Sequence, residues 1–348
     1  MKNFWSSFAK ALGDKSKLNK PIYALAPMAG VADSAFRQIC KEFGADVVYS
    51  EMASVAALAY NPEKTLEMLK FFEIERPYVV QLFGSKPEHF VKAVKLIEKK
   101  KLSCYDFYKN RSNSVSYLPD GIDINFGCPV KKVQKQGAGA VLMNDLKLSR
   151  EIIKAVINNI DLPVSIKIRS RVKNVDCLKF LDYINDLDIK AVMIHGRSLS
   201  QGFSGEIDVK IIKKARNYFN GIILANGLSL NTPKNANLRQ NNIIDYYKWL
   251  IEETGADGVG IARGALGKPW IFKALRTGQS VERSAKPIFK IALKHAKLAK
   301  KLKGRQGIVE MRKHLCWYVS GLPGARKMRE ELVNVESIKD IEKILKLK

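Results

Sequence analysis

The sequence predicts an α/β fold, a (β/α)8 TIM barrel with a small C-terminal all-helical domain. Three observations carry this. Eight short apolar runs recur along the chain, separated mostly by roughly 20–40 residues with helix-like periodicity. The 348 residues suit one barrel of about 250 residues plus a small appendage. No Gly-x-Gly-x-x-Gly opens a helix after the first run, and Gly258, Gly260 and Gly264 have the wrong spacing for a dinucleotide fingerprint.

The elements follow in order. Residues 1–20 put Phe4, Phe8 and Leu12 at i, i+4 and i+8, which predicts a short amphipathic segment packed on the main domain. The barrel is expected over 21–280. Its strands are expected at Ile22–Pro27, Asp46–Ser50, Tyr78–Leu82, Gly121–Asn125, Val164–Ile168, Ala191–His195, Ile222–Ala225 and Gly258–Ile261. A basic helical domain is expected over 285–348. In the fifth strand Val164, Ile166 and Ile168 share one face, and Ser165, Lys167 and Arg169 the other. Helices cover a barrel's exterior, so the polar parity points into the lumen. The fourth strand repeats this with Ile122 and Ile124 against Asp123 and Asn125. Polar residues thus gather at strand C-terminal ends, at Asn125, Lys167, His195 and Asn226. Barrel enzymes carry their chemistry on that face.

Composition narrows the classes. Apolar residues are 46% and charged residues 27%, as in a folded globular chain. No run of 18 apolar residues exists, so no membrane span is expected. Met1–Ser7 does not read as a secretory signal. Five cysteines without a Cys-x-x-Cys pair argue against a disulfide framework or a zinc ribbon. A cytoplasmic monomer with reduced thiols, no metal and no protein partner is expected. The net charge of +26 favours a polyanionic partner over a solvated face. Residues 285–348 hold 17 Lys/Arg against 6 Asp/Glu. Lys286, Lys290, Lys294, Lys297 and Lys301 would form one stripe on a helix, suited to RNA phosphates.

The seventh strand ends in Asn226-Gly227, and the eighth leads through Ala262-Arg263-Gly264 toward a helix near Pro269. Loops after strands seven and eight commonly cradle a phosphate, although turn glycines explain the same pattern equally well.

Read together, several motifs resemble a known family. They are Ala26-Pro27-Met28-Ala29-Gly30, Ser50-Glu51-Met52, Gln81-Leu82-Phe83-Gly84, Asp123-Ile124-Asn125-Phe126-Gly127-Cys128-Pro129, Lys167-Ile168-Arg169, His195-Gly196-Arg197 and Ala262-Arg263-Gly264-Ala265. The chain resembles the tRNA-dihydrouridine synthases, FMN-dependent barrel enzymes. Arg312-Lys313-His314, Trp317-Tyr318 and Gly321-Leu322-Pro323-Gly324 are similar to the C-terminal helical domain of the bacterial B type. The resemblance implies that Pro27, Met28 and Ala29 line the flavin and that Gln81 and Lys167 bond its ring edge. It further assigns His195, Asn226, Gly227, Leu228, Ala262 and Arg263 to the ribityl phosphate region. Cys128 becomes the catalytic acid. Asn125, Arg169, Arg197, Lys290, Lys294, Lys297 and Lys301 are expected to meet the tRNA.

The implied reaction reduces the uracil C5=C6 bond with a hydride from reduced FMN, itself reduced by NADPH or NADH. A thiol, mostly protonated at neutral pH, suits delivery of the proton to C5. The B-type resemblance implies U17 of the D-loop. Two departures stand out: Leu228 where the family has Asp, and Ser198-Leu199 where it has Thr-Arg. Two insertions, Ser103–Leu118 and Ser229–Ile244, fall on the N-terminal and catalytic faces respectively. Cys40, Cys104, Cys177 and Cys316 read as structural or incidental. The competing readings are an FMN-dependent reductase of a free pyrimidine, dihydroorotate dehydrogenase-like, and a non-catalytic RNA-binding barrel.

Overall fold

Strands β1 (Ile22–Leu25), β2 (Val47–Ser54), β3 (Tyr78–Phe83), β4 (Gly121–Phe126), β5 (Val164–Arg169), β6 (Ile189–His195), β7 (Ile222–Asn226) and β8 (Gly258–Ile261) pair in parallel, in the order β1-β8-β7-β6-β5-β4-β3-β2, and close into a barrel. These are the eight runs expected from the sequence, with ends shifted by a few residues. The computed structural model describes residues 3–6, 20–100, 102–104, 115–227, 243–279 and 284–347.

Strand alternation fixes the lumen. Ile22, Ala24, Ala26, Val47, Tyr49, Val79, Ala191, Met193, Ile222 and Leu224 form one buried cluster inside the barrel. Trp5, 1% exposed, belongs to it, with Phe4 packed alongside. A Cβ on Gly121 would stand 3.2 Å from the Phe4 ring, so the start of β4 yields space to the N-terminal aromatics. The expected amphipathic segment is therefore tied down through Phe4 and Trp5, while Phe8 and Leu12 lie outside the described residues.

The strand starts are laced by aspartates. Asp46 accepts from Tyr23 N–H at 2.8 Å, Asp120 from Tyr78 N–H at 2.7 Å, and Asp257 from Ile223 N–H at 2.8 Å. Each satisfies a strand-end donor that the ladder leaves open. Arg76 pairs with Asp120 at 2.6 Å, and Arg216 pairs with Asp257 at 2.5 Å. The first insertion opens and closes as an antiparallel pair, Leu102–Cys104 with Val115–Tyr117, ahead of β4. Of the second, 229–242 lie outside the described residues.

Contacts divide the chain into two units, Met1–Ser34 with Asp46–Ala262, and Ala35–Ala45 with Arg263–Lys348. In the second unit, helices Ala285–Lys303 and Arg305–Tyr318 pack through Ala292, Ala296 and Ala299 against Ile308, Met311 and Leu315. Gly307 allows this approach, because a Cβ there would stand 2.1 Å from Ala299 O. Burial of that face leaves Lys286, Lys290, Lys294, Lys297 and Lys301 exposed on the other. Among the described residues no helix is long and apolar enough to cross a membrane.

Candidate active site

At the level above the apolar lumen, the same strand parity turns polar. Gln81, Asp123 and Ser165 stand on neighbouring strands in register. Asp123 is fully buried, and each of its oxygens has a donor. Ser165 Oγ donates to Oδ1 at 2.7 Å and Gln81 Nε2 donates to Oδ2 at 2.7 Å. Gln81 Oε1 accepts from Asn125 Nδ2 at 2.9 Å. Asn125 Oδ1 in turn accepts from the N–H groups of Gly127, at 3.0 Å, and Cys128, at 2.9 Å. A relay of side chains across three strands therefore ends on the backbone of Cys128. A bulge in β2 between Tyr49 and Met52 lets Ser50 Oγ accept from Gln81 N–H at 2.9 Å, which fixes β3 at the same level.

Charge and burial set the protonation states. Burial pushes Asp123 up to about 6, against the opposing pull of its hydrogen bonds and of Lys167. Burial, then the Arg169 charge, brings Lys167 down to about 8, while Asp123 and Cys128 hold it up. Burial also raises the Cys128 thiol, which keeps it protonated at neutral pH despite the nearby Arg169 and Lys167 charges. His195 is pushed well below its ordinary value by burial and by the charges of Lys167, Arg169 and Arg197. It is therefore neutral, and its Nδ1 accepts from Arg197 N–H at 3.3 Å, which leaves the proton on Nε2 as a donor.

Arg169 and Arg197, expected to meet the nucleic acid, are placed differently. Both are 1% exposed. Arg169 donates from Nε to Gly127 O at 2.8 Å and from Nη1 to Ser198 O and Gly202 O at 2.9 Å. Arg197 donates from Nε to Gly205 O at 2.8 Å and from Nη1 to Gly227 O. Guanidinium groups with three or two carbonyls each clamp the rim loops together, because a buried cation must be hydrogen-bonded. Their burial was invisible in the sequence, where a basic residue at a strand end reads as a surface charge. The aromatic that does stand out on this rim, Phe203, is 57% exposed and lies over Arg169, its centroid 5.8 Å from Cζ. No sequence pattern had singled it out.

The remaining assigned residues have these places. Pro27, Met28 and Ala29 form the turn after β1, where Val31 N–H and Ala32 N–H donate to Met28 O at 3.1 and 2.9 Å. Glu51 holds that turn through Gly30 N–H. Asn226 Nδ2 donates to Gly260 O at 2.6 Å, leaving its Oδ1 as an acceptor. Gly227 has φ +122°, and a Cβ there would stand 3.0 Å from Ile207 Cγ2 and 3.2 Å from Gly196 N. Ala262 directly follows β8, Arg263 opens the turn Arg263–Ala265, and Leu228 lies outside the described residues. Lys290, Lys294, Lys297 and Lys301 belong to the second unit, where Lys294 pairs with Glu42 at 2.7 Å and Lys297 with Glu342 at 2.8 Å.

A closed parallel barrel with a protonated thiol, a cation and a neutral imidazole on its C-terminal rim has the layout of a barrel enzyme. The comparisons with known proteins fix which one. The model of the dihydrouridine synthase family matches residues 24–347, and the chain belongs to that family and is an oxidoreductase. It is 32% identical over 315 residues to tRNA-dihydrouridine synthase B of Pseudomonas aeruginosa, covering 88% of this chain and 86% of that one. It is 29% identical over 328 residues to a probable tRNA-dihydrouridine synthase of Aquifex aeolicus, covering 92% and 93%. Among solved structures, histamine dehydrogenase from Rhizobium sp. 4-9 superposes with a TM-score of 0.50 at 9% identity. That match covers 79% of this chain and 48% of the dehydrogenase, about half its length, and it speaks for the fold alone.

Proposed function

We propose that this chain reduces the C5=C6 bond of a D-loop uridine in tRNA, with FMN held on the barrel rim and NADPH or NADH as reductant, as a cytoplasmic monomer. The observation that carries this is the half-buried, protonated Cys128 thiol, fixed by Asn125 beside Lys167. The B-type resemblance implies U17 as the position reduced, and relatives named tRNA-dihydrouridine synthase B are consistent with that type.

The donor set suits FMN. Gln81 retains one amide N–H beyond its bond to Asp123, and Lys167 is a half-buried ammonium, so both can meet the electron-rich edge of the ring. His195 Nε2–H and the side-chain-free backbone at Gly227 suit the ribityl phosphate, with Asn226, Ala262 and Arg263 assigned there from the family resemblance. When bound, reduced FMN supplies the hydride for C6. Lys167 stabilises negative charge beside the ring. Cys128 gives its proton to C5, and the relay through Asn125 holds the sulfur's backbone while it does so. A uridine in a folded loop must be splayed out to reach this rim, and exposed lysines suit the phosphate contacts that offset the cost.

The test is Cys128→Ala. The variant should bind FMN as the wild type does and lose dihydrouridine formation by about 10²–10⁴-fold in single turnover, read by mass spectrometry of the tRNA. Wild-type dihydrouridine yield from this variant would remove Cys128 as the acid. Loss of dihydrouridine at a position other than 17 in a deletion strain would correct the site.

A further inference from the structure

The relay beneath Cys128 begins at a carboxylate whose two oxygens are taken by Ser165 and Gln81. We propose that Asp123 is a positioning residue: its two oxygens orient the Gln81 amide and the Ser165 hydroxyl, and through Gln81 and Asn125 it helps set the backbone that carries the catalytic thiol. The inference rests on the functional reading above and deepens it.

The orientation argument is one of donors and acceptors. An amide can present its oxygen or its nitrogen in either of two flipped positions, and nothing in Gln81 itself chooses. A buried carboxylate is acceptor-only, so it accepts only the Nε2 end of Gln81. That choice turns Gln81 Oε1 toward Asn125, which must then offer Nδ2. Asn125 Oδ1 is thereby committed to the N–H groups of Gly127 and Cys128. The carboxylate at one end and the donor-only N–H groups of Gly127 and Cys128 at the other thus require the same orientation of both amides. Without the carboxylate, the relay under the thiol is held from one end alone.

Two variants separate the relay from the charge. In Asp123→Asn the new amide can turn its oxygen to Gln81 and its nitrogen to Ser165 Oγ, so the relay survives and only the charge is lost. In Asp123→Ala both are lost. The readout is the alkylation rate of Cys128 by iodoacetamide in the FMN-free protein, followed by peptide mass spectrometry with the Cys316 peptide as internal reference. Asp123→Asn should react within about twofold of wild type. Asp123→Ala should react about tenfold faster, because a loop that loses a buried hydrogen-bond partner opens more often. Equal rates in all three proteins would overturn the orientation role. Should Asp123→Ala fail to fold, Gln81→Leu, which removes the amide linking Asp123 to Asn125, decides in its place: it should raise the rate about tenfold, and a rate within twofold of wild type would overturn the role. Wild-type protein that binds no FMN at all would instead defeat the functional reading.

Discussion

The floor and the rim of this barrel are made from the same strands and differ in what fills them. On the floor, alternate residues of β1, β2, β3, β6 and β7 meet in an apolar cluster closed by Trp5, and the polar groups there are aspartates that accept strand-end N–H groups. On the rim, the same parity presents Gln81, Asp123, Ser165, Lys167 and His195, with a carboxylate near 6 and an ammonium near 8. The half-buried carboxylates at the strand starts accept backbone N–H groups, and two of them also pair with Arg76 and Arg216. Asp123 on the rim is fully buried and serves side chains alone, and its desolvation is the cost of holding them. The difference teaches that position along the barrel, rather than residue type, decides which groups an acid serves.

The comparison can be broken from the floor. Trp5→Ala should cost about 3–5 kcal/mol of stability, read as a lower urea midpoint, because a fully buried indole is removed from a packed lumen. Bound FMN and turnover at a temperature where the variant remains folded should stay at wild-type levels. Loss of FMN from folded Trp5→Ala would show that floor and rim are one cooperative unit.

A smaller effect tests the rim. Gly139 has φ +70°, and a Cβ there would stand 3.0 Å from Cys128 O and 3.1 Å from Cys128 Cβ. Gly139→Ala should therefore press on the thiol's own residue. We expect a fall of about tenfold in turnover, since misplacement of a reacting group on this scale is costly, and about 1–2 kcal/mol of stability from the left-handed backbone. Full turnover would mean that the rim tolerates displacement of its acid.

The lysines of helix Ala285–Lys303 belong to neither region and sharpen the comparison from outside. Replacing Lys290, Lys294, Lys297 and Lys301 with Gln should lower the log–log salt slope of tRNA binding by about three units if all four meet phosphates. It should fall by about half that if Lys294 and Lys297 stay with Glu42 and Glu342. Thermal stability should move least of all. An unchanged slope reduces the stripe to a solvated face.

Much of this was legible in the sequence. Eight apolar runs gave the barrel because parallel strands buried on both faces carry their signal in short continuous segments. Alternation in Ser165-Ile166-Lys167 and Asp123-Ile124-Asn125 pointed the polar residues inward. What escaped was lateral. The bond from Gln81 to Asp123 joins residues 42 apart in sequence, and no periodicity within one strand reports its neighbour. Trp5 escaped because the i, i+4 pattern of Phe4, Phe8 and Leu12 drew attention to the other side of its turn. Arg169 and Arg197 escaped because carbonyl partners such as Gly127 O and Gly227 O carry no residue-type signature. The grouping of Ala35–Ala45 with the C-terminal helices likewise depends on contacts between segments more than 200 residues apart, such as Lys294 with Glu42.

The Arg197 clamp has a consequence for how this molecule can change over generations. The guanidinium grips Gly227 O from the loop after β6, and Asn226 is fastened to Gly260 O. The last residues of β7 are therefore anchored from the loop after β6 and from β8. In any lineage, replacement of Arg197 or Asn226 would free a buried carbonyl and loosen that strand end, so these two positions carry a cost of change that the exposed rim does not.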